Sequence, residues 1–139
     1  MDFNEISVLD LFSGTGSISY EFASRGAREV HLVEKDMKHI SGIRRIIKEM
    51  EFDNIKTVHI DVRAYLKVCK VKYDVVFADP PYDLSWLMDI PDMVIASGVL
   101  KDDGFLILEH PKNMDFSRQK LFFEHRNYGG VNLSFFRAV

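Results

Sequence analysis

The segment ISVLDLFSGTGSIS, residues 6–19, decides how this chain folds. Its first half, Ile6 to Phe12, is a run of strand-forming residues, and two glycines then lead into apolar residues at helical spacing. Gly14 and Gly16 lack side chains, so they allow a sharp turn and the close approach of a ligand to the backbone. The segment therefore predicts a strand, a tight turn and a helix.

The rest of the chain alternates between strand-like and helix-like segments. Further strands are predicted at residues 29–36, 55–62, 73–79 and 105–110, with helices at 37–50, through Ala64 and Leu66, and from a cap at Asp83 to Val94. Residues 120–139 lack helical periodicity and contain a Gly-Gly turn, which predicts a closing antiparallel pair of strands. This order is typical of an α/β protein whose mainly parallel sheet is covered by helices on both faces.

The fifth strand has two predicted features. Asp103 and Gly104 are typical turn residues, so we expect the chain to turn there before the strand begins. The run that follows, FLILEH, opens with four consecutive apolar residues, a pattern typical of a strand that is buried on both faces of its sheet.

The composition indicates one water-soluble domain. With 139 residues, 47% of them apolar and 28% charged, the chain is expected to form a single domain over residues 1–139. It contains no run of eighteen apolar residues and no signal-peptide pattern, so we expect a cytoplasmic protein. The formal net charge of -3 argues against a protein that holds nucleic acid by a large basic surface. The lone Cys69 has no disulfide partner, and the five histidines lack ligand spacing, so no metal site is expected.

Candidate ligand-binding side chains stand at the predicted carboxyl ends of the strands, where open α/β sheets bind ligands. Glu34 ends the second strand, 18 residues beyond Gly16, where a carboxylate can accept both hydroxyls of an adenosine ribose. Alternatively, Glu34 is a solvated strand-end carboxylate, and Asp61 caps the next helix. Ser19 replaces the third glycine of the dinucleotide fingerprint, which argues against a nicotinamide dehydrogenase, and no triphosphate-binding loop is present.

Four motifs resemble those of a known family. VLDLFSGTGSIS, VEKD, HIDV and DPPY resemble, in order and spacing, the motifs of class I S-adenosylmethionine-dependent methyltransferases that act on exocyclic amines. The chain is most similar to the bacterial 16S rRNA (guanine-N2)-methyltransferase family, because the resemblance continues through LILEHP and HRNYGGVNLSFF. It implies a Rossmann-like fold with a mostly parallel seven-stranded sheet and an antiparallel C-terminal strand. It also implies S-adenosylmethionine as cofactor, S-adenosylhomocysteine as product, and 16S rRNA or the assembling small ribosomal subunit as partner, with no membrane and no metal.

The resemblance also assigns roles to individual residues. The catalytic motif would be Asp79, Pro80, Pro81 and Tyr82. The cofactor-binding residues would be Asp10, Phe12, Ser13, Gly14, Thr15, Gly16, Glu34, Lys35, Asp36, Asp61, Val62 and Asp79. Glu109, at the end of the fifth strand, either supports this site or faces solvent.

The motif DPPY fits methyl transfer to a base amine. The exocyclic amine of guanine is a poor nucleophile because its lone pair is delocalised into the ring. Acceptors that hold its two N–H groups make it more reactive, and Asp79 and the carbonyl of Pro80 can supply them. Two prolines stiffen the turn, and Tyr82 can stack on the base. The alternative is that DPPYD is only a rigid turn between a strand and a helix.

The resemblance is incomplete at the N-terminus. Members of the family usually carry a basic segment before the strand that corresponds to Ile6–Phe12, and we expect weaker RNA binding without it. Three groups of basic residues remain as candidate RNA contacts: Arg44, Arg45 and Lys48; Lys67, Lys70 and Lys72; and Arg118, Lys120 and Arg126. The alternatives are methylation of DNA adenine or a protein glutamine, or a truncated cofactor-binding domain without activity.

Overall fold

The computed structural model describes residues 3–138, which contain a seven-stranded sheet. The strands are β1 (Ser7–Leu11), β2 (Glu29–Glu34), β3 (Ile55–His59), β4 (Tyr73–Ala78), β5 (Leu100–His110), β6 (Phe122–Tyr128) and β7 (Val131–Arg137). Their spatial order is β3-β2-β1-β4-β5-β7-β6. The first five strands pair in parallel, whereas β7 runs antiparallel to both β5 and β6. The predicted mostly parallel sheet with an antiparallel C-terminal strand is confirmed.

Helices cover both faces of this sheet, as predicted. They are α1 (Ser17–Ser24), α2 (Met37–Glu49), α3 (Val62–Val68) and α4 (Ile90–Ser97). Successive strand residues point to opposite faces. Leu9 belongs to the apolar cluster that includes residues of α3 and α4, whereas its neighbour Val8 belongs to the cluster that includes Ala23 of α1. Within residues 3–138, no helix is long and apolar enough to cross a membrane.

Two expectations for the fifth strand were wrong. Asp103 and Gly104 do not precede the strand, because β5 begins at Leu100 and passes through them as an irregularity in its pairing with β4. Asp103 has a φ of 63°, which explains the turn-like sequence inside a strand. The run FLILEH is fully buried on one face only: Leu106 and Leu108 have no exposed surface, but Ile107 is half-buried.

The helix after β4 also begins later than predicted, and Asp83 does not cap it. The chain instead makes successive tight turns, in which the amide of Leu84 donates to the carbonyl of Pro81 and the amide of Leu87 donates to the carbonyl of Leu84. A 3-10 turn at Leu87–Asp89 follows, and α4 starts at Ile90. Pro91 lies in the first turn of α4, where a missing amide hydrogen costs no helical hydrogen bond.

The strand order places the candidate site. Connections from β1 lead outward to β2 and β3 on one side and, after a reversal, to β4 and β5 on the other. A crevice therefore opens beyond the carboxyl ends of β1 and β4, which is where open α/β sheets bind ligands. The strands β2 and β3 are shorter than predicted, ending at Glu34 and His59 rather than at the following acidic residues.

Candidate active site

A cleft of about 720 Å³ lies beyond the carboxyl ends of β1 to β4. It brings together nearly all of the residues predicted from the sequence: Asp10, Phe12, Ser13, Gly14, Thr15, Glu34, Lys35, Asp36, Asp61, Val62, Asp79, Pro80, Pro81 and Tyr82. Gly16 is the exception, because it is buried beneath the loop and does not line the cleft.

The loop between β1 and α1 forms the floor of the cleft. Gly14 and Gly16 have φ values of 56° and 84°, in the left-handed region that favours glycine. A Cβ on Gly16 would lie 2.8 Å from the ring of Tyr20, whereas a Cβ on Gly14 would meet no atom within 4 Å. The two glycines therefore serve different purposes: Gly16 allows close packing against α1, and Gly14 leaves open space along the cleft.

Glu34 ties this loop to the end of β2. One carboxylate oxygen accepts the amide of Gly14 at 2.8 Å, and the other accepts the amide of Asp36 at 2.8 Å. The side chain is only 8% exposed, so the alternative of a solvated strand-end carboxylate was wrong. Each oxygen retains a lone pair, so Glu34 can still accept hydrogen bonds from a ligand in the cleft.

Asp10 lies at the base of the cleft and is almost fully buried. It accepts a hydrogen bond of 2.7 Å from the hydroxyl of Ser19, so Ser19 fixes this carboxyl group. Burial, with smaller contributions from the nearby carboxylates Asp79 and Glu34, raises the pKa of Asp10 to about 7, even though the hydrogen bonds with Ser19 lower it. Negative charge at the base of the cleft is therefore costly when no cation is present.

Arg63 of α3 and Trp86 of the loop after β4 form a cationic and aromatic wall of the cleft. Asp61 caps α3 by accepting the amides of Arg63 and Ala64, so the alternative interpretation of Asp61 as a cap is correct, and the residue also lines the cleft. The guanidinium of Arg63 lies 4.8 Å from the ring centre of Trp86, which in turn packs against Phe12.

Asp79 begins the loop after β4 and lies at the exposed rim of the cleft. Partial burial of its carboxyl group and the adjacent carboxylate of Glu109 raise the pKa of Asp79 to about 6. Because the residue remains accessible, water screens part of this effect. Among the backbone hydrogen bonds of the turns and loops within residues 3–138, none uses the carbonyl of Pro80, a residue that also lines the cleft.

Tyr82 is half exposed and belongs to the same rim. Its hydroxyl donates a hydrogen bond of 3.0 Å to Glu109 on β5. Of the two alternatives for Glu109, support of the site therefore agrees with the structure.

Sequence reasoning missed several residues that line the cleft: Ser17, Ile18, Val33, His39, Arg63, Phe77, Leu84 and Trp86. Five of the eight are apolar, and no local sequence pattern separates these five from core residues. His39 lies one helical turn after the cap Asp36, and its imidazole is 3.5 Å from Glu34. Among residues 3–138, no cluster of three or more potential metal ligands occurs.

The fold and the cleft define the class of protein. A conserved hypothetical protein from Streptococcus pyogenes matches with a TM-score of 0.86 and 24% identity, over 99% of this chain and 88% of that one. The 16S rRNA N2 G1207 methyltransferase of Thermus thermophilus, solved with AdoMet and guanosine, matches with a TM-score of 0.81 and 18% identity, over 98% of this chain and 38% of that one. The fold is the Rossmann-like fold of S-adenosylmethionine-dependent methyltransferases.

The chain belongs to the family described as conserved hypothetical protein 95, whose model matches residues 1–137. Among curated relatives, the putative rRNA methyltransferase YlbH of Bacillus subtilis is 29% identical over 77% of this chain and 60% of its own length. Ribosomal RNA small subunit methyltransferase D of Buchnera aphidicola (subsp. Baizongia pistaciae) is 26% identical over 77% of this chain and 55% of its own length. The chain thus spans little more than half the length of these relatives.

Proposed function

We propose that residues 1–139 act as one methyltransferase domain that transfers a methyl group from S-adenosylmethionine to guanine N2 in 16S rRNA. The partner would be this RNA, free or in the assembling small ribosomal subunit, in the cytoplasm. The observation that carries the proposal is the rim formed by Asp79, Pro80 and Tyr82 beside a cleft whose loop is fixed by Glu34. The names of the relatives support methylation of ribosomal RNA, and the name of the Thermus structure supports guanine N2 as the target.

The residues of the cleft fit this cofactor. The hydroxyl of Ser13 is buried and has no hydrogen-bond partner among residues 3–138, so it can bind a polar group of a ligand. Glu34 would hold the ribose hydroxyls, and Asp61 and Val62 would contact the adenine. The carboxylates Asp10 and Asp79 would favour a cationic ligand. When bound, S-adenosylmethionine supplies a methyl group on a positively charged sulfur that keeps the electron pair of the broken C–S bond.

The rim residues would orient the amine and stabilise the charge that develops on it. The carboxylate of Asp79 would accept one amine hydrogen and the carbonyl of Pro80 the other, which directs the nitrogen lone pair away from the ring. Tyr82 would stack on the base, which is worth about 1–3 kcal/mol. As the new N–C bond forms, the nitrogen becomes acidic and its proton can pass to Asp79.

The proposal is tested with methyl-labelled S-adenosylmethionine and small-subunit particles that lack guanine-N2 methylation. After digestion to nucleosides, we expect label in N2-methylguanosine with the wild-type protein and a loss of at least about 100-fold with Asp79→Ala. Asp83→Ala is the matched control, because Asp83 is an exposed aspartate of the same loop that we place outside the active site. Label in another nucleoside, or equal labelling by Asp79→Ala, would contradict the proposal.

A further inference from the structure

Glu109 lies beside the two rim residues to which we assign the chemistry. Strands β4 and β5 are parallel, and Ala78 pairs with Leu108, so the residues that follow, Asp79 and Glu109, emerge next to each other. The hydroxyl of Tyr82 donates to one carboxylate oxygen of Glu109 at 3.0 Å. Glu109 is thus held in place by a side chain of the rim itself.

Glu109 is placed for the substrate rather than for the cofactor. Asp79 and Tyr82 line the cleft, but Glu109 does not. It therefore adjoins the rim from outside the cavity, where a base held by Asp79 and Tyr82 in the proposed reaction would lie. A carboxylate has four acceptor positions, so the hydrogen bond from Tyr82 leaves others for a substrate donor.

The bases differ in the group that Glu109 would meet. Guanine, adenine and cytosine all carry an exocyclic amine. In guanine the amine lies between two ring nitrogens; N3 is an acceptor, whereas N1, on the Watson–Crick edge, carries a hydrogen and is a donor. In adenine and cytosine the corresponding nitrogen is an acceptor. A base that is read on this edge therefore presents either a donor or a lone pair to the residue beside Asp79.

We propose that Glu109 selects guanine by accepting the N1–H group while Asp79 holds the neighbouring amine. This inference rests on the proposed function and adds the residue that determines its base specificity. The carboxylate attracts the N1–H donor of guanine and repels the lone pair of adenine or cytosine, so one side chain both favours the correct base and rejects the others. The hydrogen bond from the hydroxyl of Tyr82 limits the positions that this carboxylate can adopt.

The test uses two synthetic RNAs that differ only at the nucleotide that the wild-type protein methylates. One RNA contains guanosine there, and the other contains 2-aminopurine riboside, which keeps the 2-amino group but has a lone pair at N1. A charge-assisted hydrogen bond predicts that the wild-type kcat/KM is about 10- to 100-fold higher for guanosine. In Glu109→Gln the amide can donate to the lone pair, so we expect the two values to agree within about threefold.

Three controls separate specificity from general damage. S-adenosylhomocysteine binding shows whether Glu109→Gln keeps its fold. Tyr82→Phe should lower the kcat/KM for methylation of both RNAs and retain the preference for guanosine, because the carboxylate of Glu109 remains. Glu21→Gln removes an exposed carboxylate paired with Arg25 at the end of α1 and should change neither methylation rate. The missing O6 of 2-aminopurine affects all variants alike, so the change in the guanosine preference between the wild type and Glu109→Gln isolates residue 109.

Two results would overturn the inference in distinguishable ways. If Glu109→Gln lowers the kcat/KM of both RNAs equally and keeps the wild-type preference for guanosine, Glu109 only supports Tyr82 and Asp79. If the wild-type protein labels neither these RNAs nor the small-subunit particles, the proposed function itself fails, and the specificity role fails with it.

Discussion

Asp10 shows how a single buried carboxyl group makes stability depend on pH. Its pKa of about 7 in the folded protein lies above its ordinary value of 3.8. The contribution of Asp10 to the free energy of unfolding is therefore greatest below about pH 4 and falls as the pH rises to about 7. The slope is at most about 1.4 kcal/mol per pH unit for one group.

We predict that Asp10→Asn removes this slope. The asparagine stays neutral and can still accept the hydrogen bond from Ser19, so the variant should gain stability relative to the wild type between pH 4 and pH 7. Urea unfolding of both ligand-free proteins at about pH 4 and about pH 7.5, which span that window, measures the difference. Equal pH dependence of the two proteins would mean that Asp10 does not titrate in this range.

Asp79 predicts a pH dependence of the reaction itself. Its carboxylate form is the acceptor for the amine, and its pKa is raised to about 6 by partial burial and by Glu109. We expect kcat/KM to rise with pH through about 6 and then level off. In Glu109→Gln the neighbouring charge is absent, so the inflection should move to lower pH. A profile without an inflection in the wild type, or an unmoved one in the variant, would contradict this assignment.

At the scale of elements, the loop between β1 and α1 separates two uses of glycine. Gly14→Ala adds a Cβ into open space. Its free energy of unfolding should fall only by the cost of a left-handed backbone for alanine, about 1–2 kcal/mol. Gly16→Ala has the same backbone cost and also places a Cβ 2.8 Å from the Tyr20 ring. This variant should therefore be less stable than Gly14→Ala. Urea unfolding compares the two variants. Equal losses would show that α1 moves to accommodate the methyl group.

The sequence predicted elements well where one residue pattern has one physical outcome. The strand before Gly14 and the Gly129-Gly130 hairpin belong to this group, because both glycines of the hairpin adopt positive φ. Asp83 was misassigned as a cap because the same residue types also form successive turns, and Pro91 moved the start of α4 to Ile90. Trp86 was predicted to lie on a helix, but it lies in a loop whose tertiary contacts with Arg63 and Phe12 place it at the cleft.

For the carboxylates at the cleft, too, the sequence predicts which strand ends meet but not the contacts that depend on the path of a loop. Strand ends in parallel register meet at one edge of the sheet, so the convergence of Asp10, Glu34 and Asp79 could be predicted from the order of strands. The hydrogen bond between Tyr82 and Glu109 could not be predicted, because it depends on the register between β4 and β5 and on the path of the loop.

For the molecule as a whole, ligand binding should raise the stability of the folded state. We predict that S-adenosylhomocysteine at about 100 times its Kd stabilises the protein by about 2.7 kcal/mol, which thermal unfolding detects as a rise of several degrees in Tm. NAD is the control ligand, because Ser19 replaces the third glycine of the dinucleotide fingerprint. A shift with NAD and none with S-adenosylhomocysteine would assign the cleft to another class of cofactor.

The position of Trp86 gives this molecule its own optical signal. It is the one tryptophan of the sequence, and it lies in the wall of the cleft between a guanidinium and a phenyl ring. All indole emission therefore originates within reach of an occupant of the cavity. A ligand that displaces Arg63 or stacks on the ring would change the intensity or wavelength of that emission. Occupancy can thus be followed in real time without any attached dye.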